Sequence, residues 1–114
     1  MREFLLVRKG ASARFAALSA EEKQRLLERY VGFVARLKRE GRFRGGAGLA
    51  PGGFELRGER GIVLTDGPHA ETKEALSGYL VFEAASYEEA LAIARDCPAL
   101  SHGEGVELFA LAAA

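Results

Sequence analysis

The hydrophobic pattern opens with four apolar residues in a row, Phe4-Leu5-Leu6-Val7. Such a run predicts a strand over Arg2 to Arg8, buried on both faces. Lys9 to Leu18 reads as a loop. The period then changes. Leu26, Leu27, Tyr30, Val31, Val34 and Leu37 recur at helical spacing and fall on one face. Ser19-Ala20-Glu21-Glu22, just ahead of them, has the form of a capping box, in which serine and glutamate each satisfy a backbone N–H at the helix start. The helix is predicted to run to about Glu40, with Gly41 as its stop.

Phe43 to Leu49 reads as a weak, glycine-rich strand, and Pro51-Gly52-Gly53 as a turn. Phe54 to Arg57 and Ile62 to Thr65 predict a hairpin joined by Gly58-Glu59-Arg60-Gly61. Asp66 to Glu74 follows as a loop, and Leu76 to Ala84 as the longest strand. Ser86-Tyr87-Glu88-Glu89 repeats the capping pattern and starts a second helix, to about Asp96, with Ala90, Leu91, Ile93, Ala94 and Cys97 as its apolar contacts. Pro98 cannot continue it. Gly105 to Leu111 is the last strand, and Ala112 to Ala114 a tail.

Strand, capped helix, strand thus occurs twice, which predicts an α+β fold. The expected form is a ferredoxin-like antiparallel sheet with two helices on one face and an inserted hairpin. Two helices cover only one face. Yet Leu76, Gly78, Leu80 and Phe82 alternate with Ser77, Tyr79 and Val81, and Val106, Leu108 and Ala110 alternate with Glu107, Phe109 and Leu111. The second face is therefore apolar as well and needs a cover. The same face of a second copy is the expected cover, giving a homodimer; the alternative is that the glycine-rich segment and hairpin fold over it.

Length and charge narrow the class further. The 114 residues fit a single domain spanning residues 1–114. Sixteen basic and sixteen acidic residues cancel, so no overall field attracts nucleic acid or an anionic membrane. A single cysteine, Cys97, excludes an internal disulfide and a cysteine-based zinc cluster. No apolar run approaches the roughly 18 residues of a membrane span. The opening apolar run is shorter than a signal-peptide core, so the cytoplasm is the expected compartment.

The most specific segment is Asp66-Gly67-Pro68-His69-Ala70-Glu71-Thr72-Lys73-Glu74. Alternation puts Ile62, Leu64 and Asp66 on one side of their strand, with Gly67 and Pro68 stiffening the turn beyond. A carboxylate at a strand end beside a rigid turn suits proton transfer. It equally suits a structural aspartate that accepts from its own turn.

Asp66-Gly67-Pro68 with Ala70-Glu71-Thr72-Lys73-Glu74 resembles the signature of the DGPF-domain proteins, in the YCII-related family. The likeness continues through Gly78-Tyr79, Glu88-Glu89-Ala90, Pro98 and Gly105-Val106-Glu107. It implies a ferredoxin-like fold that dimerises as an α+β barrel. The family is mostly without an established activity; its folds are similar to those of small monooxygenases and lactone isomerases, and one YCII-like protein is a dehydrochlorinase. The family usually has Phe where this chain has His69. The histidine that YCII proteins carry in the first helix region is absent here. Where the family ending commonly continues with Arg and Pro, this chain has Phe109 and Ala110.

The candidate catalytic residues are Asp66, His69 and His102; the candidate ligand-binding residues are Arg44, Gly67, Pro68, Glu71, Lys73 and Tyr79. His102 is a loop histidine that suits acid–base work if the last strand lies near the turn. Arg44 would clamp a carboxylate if its strand carried it to a cleft. Gly45-Gly46-Ala47-Gly48 lacks the Lys-Ser/Thr ending of a phosphate loop. Neither a cofactor nor a metal is expected. Three functions compete: a small-molecule-binding domain with its cleft near Asp66, a cofactor-independent enzyme with Asp66 as base, and a structural or interaction module.

Overall fold

The computed structural model describes residues 1–10, 16–50, 53–66 and 75–113, and the side chains of 63–66, 75 and 102 lie outside that description. Six strands and two α-helices alternate along it: β1 (Arg2–Gly10), α1 (Ala20–Arg39), β2 (Phe43–Gly48), β3 (Phe54–Arg57), β4 (Ile62–Asp66), β5 (Ala75–Ala84), α2 (Tyr87–Arg95) and β6 (Gly105–Ala110), with a 3-10 helix at Pro98–His102 before the last strand. Four strands form one antiparallel sheet in the order β2-β5-β1-β6, and β3 and β4 form a separate hairpin. That order is the ferredoxin-like one, because each helix carries the chain across an intervening strand.

The predicted elements form where the pattern placed them, with ends shifted by one or two residues. The capping box at Ser19 is complete: its Oγ accepts from the Glu22 N–H at 3.1 Å, and the Glu22 carboxylate accepts from the Ser19 N–H at 3.0 Å. The second box is only half built. Ser86 Oγ accepts from the Glu89 N–H, but the Glu89 carboxylate turns to the Ala85 N–H and to Arg42. Gly41 ends α1 with φ 71°, a left-handed angle that suits glycine.

The core lies between the sheet and the helices. Phe4, Leu6, Leu80, Phe82 and Ala84 face Phe33 and Leu37 of α1 and Ala90, Ile93 and Ala94 of α2. The expected helical face is therefore rotated. Its centre is Leu26, Phe33 and Leu37, while Leu27 and Val31 are 58% and 63% exposed. A twenty-residue helix on a small sheet buries only the stripe that touches it, and Phe33 takes the central place by size.

Both helices lie on one sheet face. On the other, register pairs Leu5 with Val81 and with Phe109, and Val7 with Tyr79. Tyr79 and Phe109 there are 40% and 47% exposed, so within one chain no described residue seals this face. The alternative cover, the hairpin, forms its own two-stranded sheet and leaves Phe54 72% exposed. The molecule is a slab of 43 × 42 × 19 Å.

Candidate functional site

Strand alternation puts Phe4, Leu6 and Arg8 on the face of β1 that meets the helices. The first two are core residues. The third continues the same row with a charge, at the end of the sheet where the core thins. In the row across the sheet, Arg8 stands opposite Gly78 of β5 and Val106 of β6, while Gly78 stands opposite Gly48 of β2. Gly78 leaves a trough, and the Arg8 guanidinium lies in it. A methyl group on Gly78 would collide with that guanidinium and would stand 2.9 Å from the Ala47 carbonyl oxygen. The glycine that matters is Gly78 of β5, since a methyl group on Gly48 would make only ordinary contact with the guanidinium.

Above the trough stands Tyr30 of α1. Arg8 Cζ is 4.5 Å from the centre of its ring, a cation–π contact. The Tyr30 hydroxyl meets the buried Cys97 Sγ at 3.2 Å. Burial first, and then this hydrogen bond, push the phenol above the ordinary tyrosine range, so it stays neutral at physiological pH. Arg8 Nη2 also donates to the Ser77 carbonyl oxygen, at 3.4 Å.

Ser77 itself sits at a register break. Arg8 pairs with Gly78 and Lys9 with Leu76, which leaves Ser77 as the extra residue of a β-bulge. Its hydroxyl donates to Glu104 Oε2 at 2.5 Å. Gly10 makes room for that carboxylate, since a methyl group there would collide with the Glu104 side chain.

Two cavities meet at Arg8, Tyr30 and Gly48. The smaller, about 220 Å³, is mostly apolar, walled by Leu6, Val34, Phe43 and Leu80. The larger, about 570 Å³, runs along the start of α1 and includes Lys23, Gln24, Leu27 and Glu104. Together they form one mostly apolar cleft, with Arg8 where its two parts meet and Lys23, Gln24 and Glu104 as polar groups in the wall of the larger.

The residues singled out in the sequence stand in several places. Tyr79 borders the smaller cavity, although its position in the strand aims the ring at the open sheet face. Arg44 lies elsewhere. A register break between Phe43 and Gly45 leaves it as the extra residue of β2, and its guanidinium donates to the Glu83 carboxylate and to the carbonyl oxygens of Gly41 and Phe43. Asp66 is the last residue of β4, its backbone opposite Phe54. A register break between Glu55 and Leu56 interrupts the simple alternation that grouped it with Ile62. Its side chain lies outside the described residues, as do Gly67, Pro68, His69, Glu71 and Lys73. His102 closes the 3-10 helix, and its side chain too lies outside the description. Among the described residues no cluster of His, Cys, Asp and Glu is placed to hold a metal.

Arg8, Ser77 and Glu104 carry no motif, and Tyr30 reads as one more apolar position of its helix. One signal was nonetheless present: Arg8 is a charged residue in phase with Phe4 and Leu6, at a position where the pattern demands an apolar one.

A four-stranded β2-β5-β1-β6 sheet with its cleft beneath the first helix places the molecule among the ferredoxin-like α+β domains. The YCII-related domain family model matches residues 4–109, and the chain belongs to that family. An uncharacterized protein of Rhizobium meliloti (strain 1021) is 36% identical over 84 residues, covering 71% of this chain and 68% of the relative.

Proposed function

We propose that this YCII-related domain binds a small molecule in the cleft between α1 and the sheet. The observation that carries the reading is the meeting of two mostly apolar cavities at Arg8 and Tyr30. Ligand sites have this composition: mostly apolar walls with a few placed polar groups. The test is thermal shift against a fragment library, on the wild type and on Val34→Trp, which fills the apolar cavity. Ligands should raise the Tm of the wild type and lose that effect in the variant. A library whose hits stabilise both proteins equally contradicts the reading.

The same proposal makes the protein a homodimer joined through the open sheet face, supported by the exposure of Tyr79 and Phe109 there. Asp66 remains a proposed second component of the site, with His69 or His102 as its partner for proton transfer. Asp66→Ala belongs in the same thermal-shift series. Retention of every ligand by that variant removes Asp66 from the site.

A further inference from the structure

We propose that the cleft selects a small monocarboxylic acid with an apolar body, its carboxylate held by Arg8. This rests on the cleft reading above and names the chemistry the cleft prefers.

A guanidinium has five N–H donors in a planar fork that matches a carboxylate. Three other arginines close to the sheet have acidic partners. Arg36 meets Asp96 and Glu40, Arg42 meets Glu89 and Glu40, and Arg44 meets Glu83. Arg8 has no carboxylate at ion-pair distance among the described residues. It makes one long hydrogen bond, to a carbonyl, and stacks on Tyr30. The contact with Tyr30 holds the guanidinium in place and leaves donors for a ligand. A charge-assisted pair in a half-buried cleft is worth more than an exposed one, because less water competes.

The neighbouring walls choose the rest of the ligand. The apolar cavity of about 220 Å³ next to Arg8 exceeds the roughly 150 Å³ that accommodates benzene in a protein core, so a ring or a short alkyl chain fits. In the wall of the larger cavity Lys23 and Glu104 carry opposite charges, and among the described residues Arg8 is the one charged residue in the lining of the smaller cavity, which suits the single charge of a carboxylate.

The test uses matched pairs: benzoate and benzamide, phenylacetate and phenylacetamide, hexanoate and hexanamide. Each is titrated into the isotope-labelled 114-residue chain at about pH 7, where the acids are ionised. At least one acid should shift the amides of Leu6, Arg8 and Gly48, and its amide partner should bind at least about tenfold more weakly. Arg8→Gln should abolish the preference for the acid. Arg8→Lys should retain part of it, having the charge without the fork, and Arg57→Gln on the hairpin should leave it intact. Amides that bind in the cleft as well as their acids overturn the carboxylate and leave the cleft reading standing. An acid preference that survives Arg8→Gln, or inorganic phosphate that binds at Arg8 as tightly as the acids, also overturns it. Binding by none of the six overturns this proposal alone, since the cleft reading answers to the broader library. Should Arg8→Gln fail to fold, Arg8→Lys and the wild-type pairs decide.

Discussion

Arg8 and Gly78 form one unit. The arginine occupies space that exists because residue 78 has no side chain, and a Cβ there would collide with its guanidinium. Gly78→Ala should therefore displace the guanidinium and weaken any ligand held by it, even though the substituted residue makes no polar contact itself. Amide and arginine side-chain NMR shifts of Arg8 in the variant check this: unchanged shifts contradict it. A second residue-scale prediction concerns Glu89. Its carboxyl lies below the ordinary glutamate value of 4.5, first because Arg42 donates to it at 2.7 Å and then because the Ala85 N–H does. A carboxyl lowered in the folded state stabilises the fold above its unfolded value, and the effect disappears as pH falls through the folded one. Glu89→Gln should thus have a lower Tm than wild type near neutral pH, and the gap should close as the pH drops below about 4.5. Melting curves across that range give the answer, and a gap independent of pH contradicts the assignment.

At the scale of elements, much was legible because local chemistry dictates it. The capping box at Ser19 forms as written, and Ser19→Ala should cost about 1 kcal/mol in denaturant unfolding. Phe82 is fully buried between the two helices and the sheet, and Phe82→Ala should cost about 3–5 kcal/mol. Other features depended on information that no single segment contains. Glu89 repeats the capping spacing, yet its carboxylate goes to Arg42, a residue from a different part of the chain. The helical face was centred on Leu27 and Val31 as much as on Leu26, because spacing alone does not register how narrow the sheet is. Bulges at Arg44 and Ser77 each insert one residue into a strand and shift the alternation beyond it. Arg44 reaches the Glu83 carboxylate from such a bulge, and Ser77 reaches Glu104. The cleft was illegible for the same reason: Arg8, Tyr30, Ser77 and Glu104 lie far apart in sequence and are joined by the sheet order.

At the scale of the molecule, the fold is a two-layer slab. Its radius of gyration is 15.6 Å, larger than the roughly 13 Å of a compact domain of this length. Phe54 on the hairpin and Phe109 on the open face are both exposed in the single chain. A second copy packed on the open face would bury both Tyr79 and Phe109. Sedimentation should therefore give a dimer at micromolar concentration, and Phe109→Glu should give a folded monomer; a monomeric wild type contradicts the pairing. The cleft lies on the helix side of the sheet, so such a dimer would leave Arg8 and Tyr30 open to ligand while covering the Tyr79 ring. The central claim is that this cleft is where the protein meets its small molecule. The most direct measurement is amide chemical-shift mapping of the hits from an unbiased fragment library. Shifts concentrated on Leu6, Arg8, Tyr30, Val34 and Gly48 are the predicted result. Hits that leave those residues unmoved and cluster on the hairpin or the Asp66 turn would contradict it.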